Sequence, residues 1–113
     1  MKHEKFVSFA HSVAQEVLKH PELSHGAVRV GVWLSAVADL QGSAVVEIFQ
    51  TDIIRGYDTD KFSVQGITMR PGTVRAAIES LEALGIISVH TGETRIRAGN
   101  PRTCYTLLGG YSD

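Results

Sequence analysis

A helix followed directly by a strand, over residues 68–89, constrains the fold of this chain more than any other feature. Pro71 suits the first turn of a helix, where its missing backbone amide costs no hydrogen bond, and Gly85 is a natural helix stop. The apolar residues between them recur at helical spacing: Val74, Ala77, Ile78, Leu81 and Leu84. The sequence therefore predicts a helix over 69–84, with Thr68 or Met69 and Arg70 at its entry, that packs on a core through this face.

A β-hairpin is predicted after this helix. Residues 86–89 are rich in β-branched side chains, and residues 103–108 have the pattern of a returning strand. Turn-forming residues lie between the two runs, at 91–93 and 98–101. The C-terminal part of the chain is therefore predicted to be a helix followed by a hairpin over 86–108 with a long tip.

The first part of the chain is predicted to be helical over 5–41. Apolar residues recur there at three- and four-residue steps in two stretches, which indicates two helices, each with one apolar stripe. Ser24 is a plausible N-cap of the second helix, and Gly42 is a plausible C-terminal stop. Gly31 lies inside the second helix, where a glycine is expected to mark close packing against another helix.

The middle of the chain is predicted to be a short strand, a short helix and a loop. Residues 44–49 favour the strand, residues 51–57 the helix, and residues 58–66 the surface loop. The chain has 113 residues, of which 43% are hydrophobic and 20% charged, an ordinary globular composition. These patterns predict a single α+β domain over 1–113.

Several function classes are disfavoured by what the sequence lacks. No apolar run approaches the roughly 20 residues of a membrane span, and the charged start lacks the apolar stretch of a secretory signal. Cys104 is the only cysteine, which is compatible with a reducing cytoplasm. The histidines lack metal-ligand spacing, and no phosphate-binding glycine loop is present. We expect a cytoplasmic protein that is not an enzyme and has no metal, cofactor or membrane partner.

The distribution of charge matters more than the net charge of -1. From residue 66 to residue 108, five arginines stand against three glutamates, and no lysine occurs. Arginine is the side chain best suited to bidentate contacts with phosphate and guanine. This part of the chain is the expected location of a nucleic-acid surface.

Residues 70–87, RPGTVRAAIESLEALGII, resemble the recognition helix and the start of the wing in GntR-type regulators. They are also similar to the winged-helix domains of plasmid and phage replication proteins. The shared features are the threonine-valine-arginine start, the helical leucine stripe and a glycine followed by two aliphatic residues. The resemblance implies an α+β winged helix-turn-helix, with 51–84 as the helix-turn-helix and 86–108 as the wing. The segment between Tyr57 and Thr68 is longer than the usual tight turn.

This resemblance implies double-stranded DNA as the partner and a small transcriptional or replication regulator as the function. The third helix would lie in the major groove with its N-terminal residues nearest the bases, and the wing would contact the backbone. The face of this helix that points away from the core, together with its start, supplies one set of candidate residues: Thr68, Arg70, Thr73, Arg75 and Ala76. The wing supplies a second set: Arg95, Arg97 and Arg102.

A homodimer is also expected, because a two-fold dimer doubles the small DNA footprint of one winged helix. The apolar residues of the first two helices supply the candidate interface: Phe6, Phe9, Val13 and Trp33. The same residues could instead close the core of the monomer, and the sequence leaves both interpretations open. A second function class also remains, in which the fold is a protein-interaction module or adaptor subunit that does not bind DNA.

Overall fold

The structure is a computed structural model that describes residues 8–91 and 103–108. Four helices and five strands lie within these ranges, and the last two strands form an antiparallel pair after the last helix. The helices are α1 (Phe9–Leu18), α2 (His25–Gln41), α3 (Gln50–Arg55) and α4 (Pro71–Ala83). The strands are β1 (Val45–Ile48), β2 (Gly56–Asp58), β3 (Ser63–Gln65), β4 (Ile87–Thr91) and β5 (Thr103–Leu107). The predicted mixed α+β class is confirmed.

The ends of α2 lie where the sequence predicts, and α4 begins at Pro71, two residues after its predicted start at 69. The hydroxyl of Ser24 accepts a hydrogen bond from the Ala27 amide at 3.1 Å, which satisfies one of the unpaired amides at the start of α2. Gly42 ends α2 at a φ of 77°, and Gly85 follows α4 at a φ of 75°, both in the left-handed region that favours glycine. Pro71 occupies the first turn of α4.

Three of the strands form one antiparallel sheet in the order β1–β5–β4. Tyr105 lies at its centre, opposite Val46 on one side and Val89 on the other. Its side chain is buried, and burial raises the pKa of the Tyr105 phenol above its usual value. The predicted strands at 44–49, 86–89 and 103–108 are confirmed, with shifts of a few residues at their ends.

The surface loop predicted over 58–66 is wrong, because most of this segment folds as the two-stranded hairpin β2–β3. The hydroxyl of Thr59 accepts hydrogen bonds from the amides of Lys61 and Phe62, each at 3.1 Å, and so closes the turn. The rings of Tyr57 and Phe62 lie 6.1 Å apart. As a result α3 and α4 are joined by a hairpin and not by a tight turn.

Helix α2 lies at the centre of the helical packing. A side-chain carbon added to Gly31 would lie 3.5 Å from both Val13 of α1 and Leu81 of α4. The predicted role of Gly31 in close helix packing is therefore confirmed. Residues from α2, α4 and the three-stranded sheet share one core, whose largest fully buried side chains include Leu34, Ile48, Leu81, Ile86 and Tyr105.

Candidate nucleic-acid interface

Helix α4 separates into a buried and an exposed face as its sequence predicts. Val74, Ala77, Ile78 and Leu81 are buried against the core. Thr73, Arg75 and Ala76, on the other face of the same turns, are exposed. The small side chains of Thr73 and Ala76 leave room beside the longer Arg75. This face can approach another surface closely without disturbing the packing that holds the helix.

The residues that lead into α4 are extended and open to solvent. Arg70 occupies the N-cap position with φ -78° and ψ 150°, and its exposed side chain makes no capping hydrogen bond. Thr68 is exposed as well, whereas Met69 between them is half-buried. The backbone therefore presents Thr68 and Arg70 next to the exposed turn that carries Thr73.

The start of α4 lies against the start of α2. A side-chain carbon added to Gly26 would lie 3.4 Å from the methyl carbon of Thr73 and 3.7 Å from the terminal carbon of Met69. His25, the first residue of α2, is exposed beside this contact. Packing of the two helices brings Gly26 next to Thr73, a contact that the sequence pattern did not predict.

Charge along α4 is divided between its two ends. Arg70 directly precedes α4 and Arg75 lies in its second turn. Glu79 and Glu82 lie in the second half of the helix. Within 8–91 and 103–108, neither arginine forms a hydrogen bond or an ion pair with another side chain. Both guanidinium groups are therefore available to an anion that approaches the N-terminal half of the helix.

The wing residues Arg95, Arg97 and Arg102 lie outside the described ranges. The strands that flank them are described, and their last paired residues are Thr91 and Thr103.

The residues expected at a dimer interface fall largely inside the core. Val13 is 1% exposed and Trp33 is 6% exposed. The indole Nε1 of Trp33 also donates a hydrogen bond to the carbonyl oxygen of Gln65 at 2.8 Å. Phe9 is half-buried, and Phe6 lies outside the described ranges. The side chains of Val13 and Trp33 are thus used by the core of this chain, so they lend no support to a dimer.

Among the described residues, the cysteine thiol, the metal-ligand side chains and the helices give no further candidate site. Burial raises the pKa of the Cys104 thiol, and the nearby Glu47 carboxylate adds to the effect, so the reactive thiolate is disfavoured. No cluster of three or more histidine, cysteine, aspartate or glutamate side chains with metal-binding geometry occurs among these residues. None of the helices in 8–91 and 103–108 has the length and apolar character needed to cross a membrane.

Comparison with known proteins yields no relative: no family model, no curated protein and no solved structure matches this chain.

Proposed function

We propose that this chain is a winged helix-turn-helix that binds double-stranded DNA, with α4 in the major groove. The observation that carries the proposal is the exposed face at the start of α4. It combines the two unpaired guanidinium groups of Arg70 and Arg75 with the small side chains of Thr73 and Ala76. The N-terminal residues of a recognition helix are those that approach base edges in groove-docked proteins.

The chemistry of this face suits a duplex. Arginine makes bidentate hydrogen bonds with guanine and strong charge-assisted bonds with phosphate. Because the methyl group of Thr73 lies against Gly26, its hydroxyl is the group that can bind a base edge or a phosphate, and Ala76 allows the helix to approach the groove floor. The glutamates at 79 and 82 lie towards the other end of α4, away from the expected phosphates.

The order of elements also favours this proposal. After α2, the chain runs through β1, α3 and α4 and then into the antiparallel pair β4–β5. In the proposed fold, β4–β5 is the wing, and Arg95, Arg97 and Arg102 lie in its tip and contact the DNA backbone. Arginine in such a tip can also enter a narrow minor groove.

The β2–β3 hairpin, which replaces the usual tight turn, is compatible with DNA binding because of where its tip lies. Thr59 to Phe62 line a pocket together with Leu40 and Gln41, at the C-terminal end of α2. The start of α4 contacts the opposite end of α2, at Gly26. The tip therefore lies about one length of α2 from the proposed DNA-reading residues, or roughly 25 Å for a 17-residue helix.

On this basis the protein acts as a small transcriptional or replication regulator in the cytoplasm, without catalytic activity or a cofactor. The experiment that tests the proposal begins with a duplex selected by the wild-type protein from a random pool. Arg75→Ala should raise the Kd for that duplex roughly 5- to 150-fold, which is the effect of about 1–3 kcal/mol for a bidentate guanine contact. Thermal unfolding should be unchanged, since Arg75 is exposed.

Lys61→Ala provides the control, because Lys61 is an exposed cation at the tip of the β2–β3 hairpin. Its removal subtracts the same charge but should leave the Kd within about twofold of wild type. An equal loss of affinity in both variants would mean that binding reflects net charge alone. An unchanged Kd for Arg75→Ala would remove α4 from the proposed interface.

A further inference from the structure

An exposed apolar stripe runs along the outer side of α2. Its residues follow one another at four-residue steps: Val28, Val32, Ala36 and Leu40. Val32 is 45% exposed and Leu40 is 54% exposed, which is high for large apolar side chains. Val28 and Ala36 are half-buried. Val28, Val32 and Ala36 line a groove of about 390 Å³ together with Arg29, Trp33 and Ile67.

The stripe points away from α4. In an α-helix, each residue is rotated by about 100° from the one before it. On this basis Val32 and Ala36 lie on the side of α2 opposite to Leu34, which is fully buried. Gly31, which contacts Leu81 of α4, is also buried and lies closer around the helix to Leu34 than to Val32 or Ala36. A molecule bound along the stripe would therefore leave the exposed face of α4 free.

The charges on this side of α2 are arranged so that the surface complements itself. Four residues lie within about 40° of one direction around the helix axis: Arg29, Val32, Ala36 and Asp39. Consider two copies of α2 that pack antiparallel about a two-fold axis level with the midpoint between residues 32 and 36. Val32 of each copy then faces Ala36 of the other. Arg29 then lies level with Asp39 of the second copy, and Val28 lies level with Leu40. Opposite charges and apolar side chains are thus matched by one two-fold operation.

Both charged residues are suited to such a contact. Arg29 is exposed and has no ion-pair or hydrogen-bond partner among the described residues. Asp39 accepts hydrogen bonds from the backbone amides of Phe9 at 2.6 Å and Ala10 at 3.1 Å, and it remains exposed. These two bonds hold the carboxylate in place, so less side-chain freedom is lost when an arginine of a second copy pairs with it.

We propose that a second copy of this chain docks antiparallel along the α2 groove. This interface differs from one built on Val13 and Trp33, whose side chains are buried in the chain's own core. Because one helix from each copy supplies most of the contact, the buried area falls below the roughly 1,200 Å² of stable interfaces. The dimer is therefore weak and forms at high micromolar concentration.

Antiparallel pairing also fixes where the two copies of α4 lie. The start of α4 contacts the start of α2, so the two starts lie at opposite ends of the paired helices. Each end of the dimer then carries its own copy of the face that contains Arg75. Dimer formation and duplex binding consequently use separate surfaces, and each can be measured without the other.

Sedimentation of the full chain without DNA tests the proposal. The wild-type protein should be monomeric near 10 µM and increasingly dimeric towards roughly 500 µM, as expected for a weak interface. Val32→Glu should raise the dimer dissociation constant at least about tenfold. The new carboxylate would be buried in the dimer interface, near Asp39 of the second copy. Arg29→Glu is an independent variant at an exposed position and should also weaken the dimer by bringing two carboxylates together.

Val45→Glu is the matched control, because Val45 on β1 is 46% exposed and Val32 is 45% exposed. It should dimerise as the wild type does, and circular dichroism should show that all three variants are folded. A wild-type protein that stays monomeric near 500 µM would overturn the proposal. So would folded Val32→Glu and Arg29→Glu variants that dimerise like wild type, or an equal loss of dimer in Val45→Glu.

Discussion

At the scale of single residues, Gly66 is the glycine with the least room for a side-chain carbon among the described glycines. A side-chain carbon at this position would overlap the carbonyl oxygen of Ile54 and lie 2.7 Å from the amide nitrogen of Gly56. These backbone atoms belong to the end of α3 and the start of β2, so neither can move without disturbing the hairpin. Gly66 is required because two backbone segments meet there, and not because of a turn conformation.

Replacing Gly66 with alanine should therefore lower the free energy of unfolding by about 2–3 kcal/mol, the range expected when a clash forces packed backbone to shift. Chemical denaturation measures this change. Gly72→Ala is the matched control, since a side-chain carbon there meets no atom within 4 Å. Gly72 lies in the first turn of α4, where alanine should raise stability by up to about 1 kcal/mol. Equal destabilisation by both substitutions would contradict the assigned contact.

The sequence predicted the roles of glycines within or at the end of an apolar helical pattern, but not the role of Gly66. Gly42 and Gly85 were recognised as helix stops because each follows the last residue of an apolar helical pattern. Gly66 could only be read as part of a loop, since its constraint comes from Ile54, a residue twelve positions earlier. A single sequence carries no signal for a contact of this kind.

At the scale of elements, Trp33 joins α2 to the β2–β3 hairpin. Its Nε1 donates a hydrogen bond to the Gln65 carbonyl at 2.8 Å, and its ring is buried in the core. The hairpin consists of two strands of only three residues each. Such a short pair has little stability by itself, so we infer that it depends on packing against α2.

Trp33→Phe should keep most of the apolar packing but leave the Gln65 carbonyl without its donor. We expect the free energy of unfolding to fall by about 1–3 kcal/mol, with faster amide hydrogen exchange confined mainly to β2 and β3. Tyr57→Phe serves as the comparison, because the Tyr57 hydroxyl has no hydrogen bond within the described residues. A uniform increase in exchange across the chain would show that Trp33 supports the whole core and not this hairpin.

Elements with local signals were predicted well from the sequence. The start and end of α2 follow from Ser24 and Gly42, and α4 follows from Pro71 and its apolar spacing. The β2–β3 hairpin was missed, since its strands are too short to show alternation and its stability comes from Trp33, which is far away in sequence. The sequence left open whether Trp33 lies at a dimer interface or in the core of the monomer, and the structure buries it in the core.

At the scale of the whole molecule, the two faces of α4 were predictable and their surroundings were not. The spacing of Val74 and Leu81 placed Thr73 and Arg75 on the exposed side, where the structure has them. The contact of Gly26 with Thr73, and the outward stripe on α2, depend on how α2 packs against α4. Apolar residues occur around most of α2, so its sequence alone does not show which side stays exposed.

The proposed binding of duplex DNA through the arginines around α4 predicts a steep dependence of affinity on salt. Since the net charge is only -1, strong binding cannot come from overall attraction and must come from local phosphate contacts. We predict that wild-type affinity for a random duplex falls at least tenfold between about 50 and 200 mM salt. An Arg70→Ala/Arg75→Ala variant should bind more weakly, with a salt slope shallower by about one to two units. Absence of duplex binding near 50 mM salt, or binding that does not change with salt, would contradict the account and favour a protein partner for this fold.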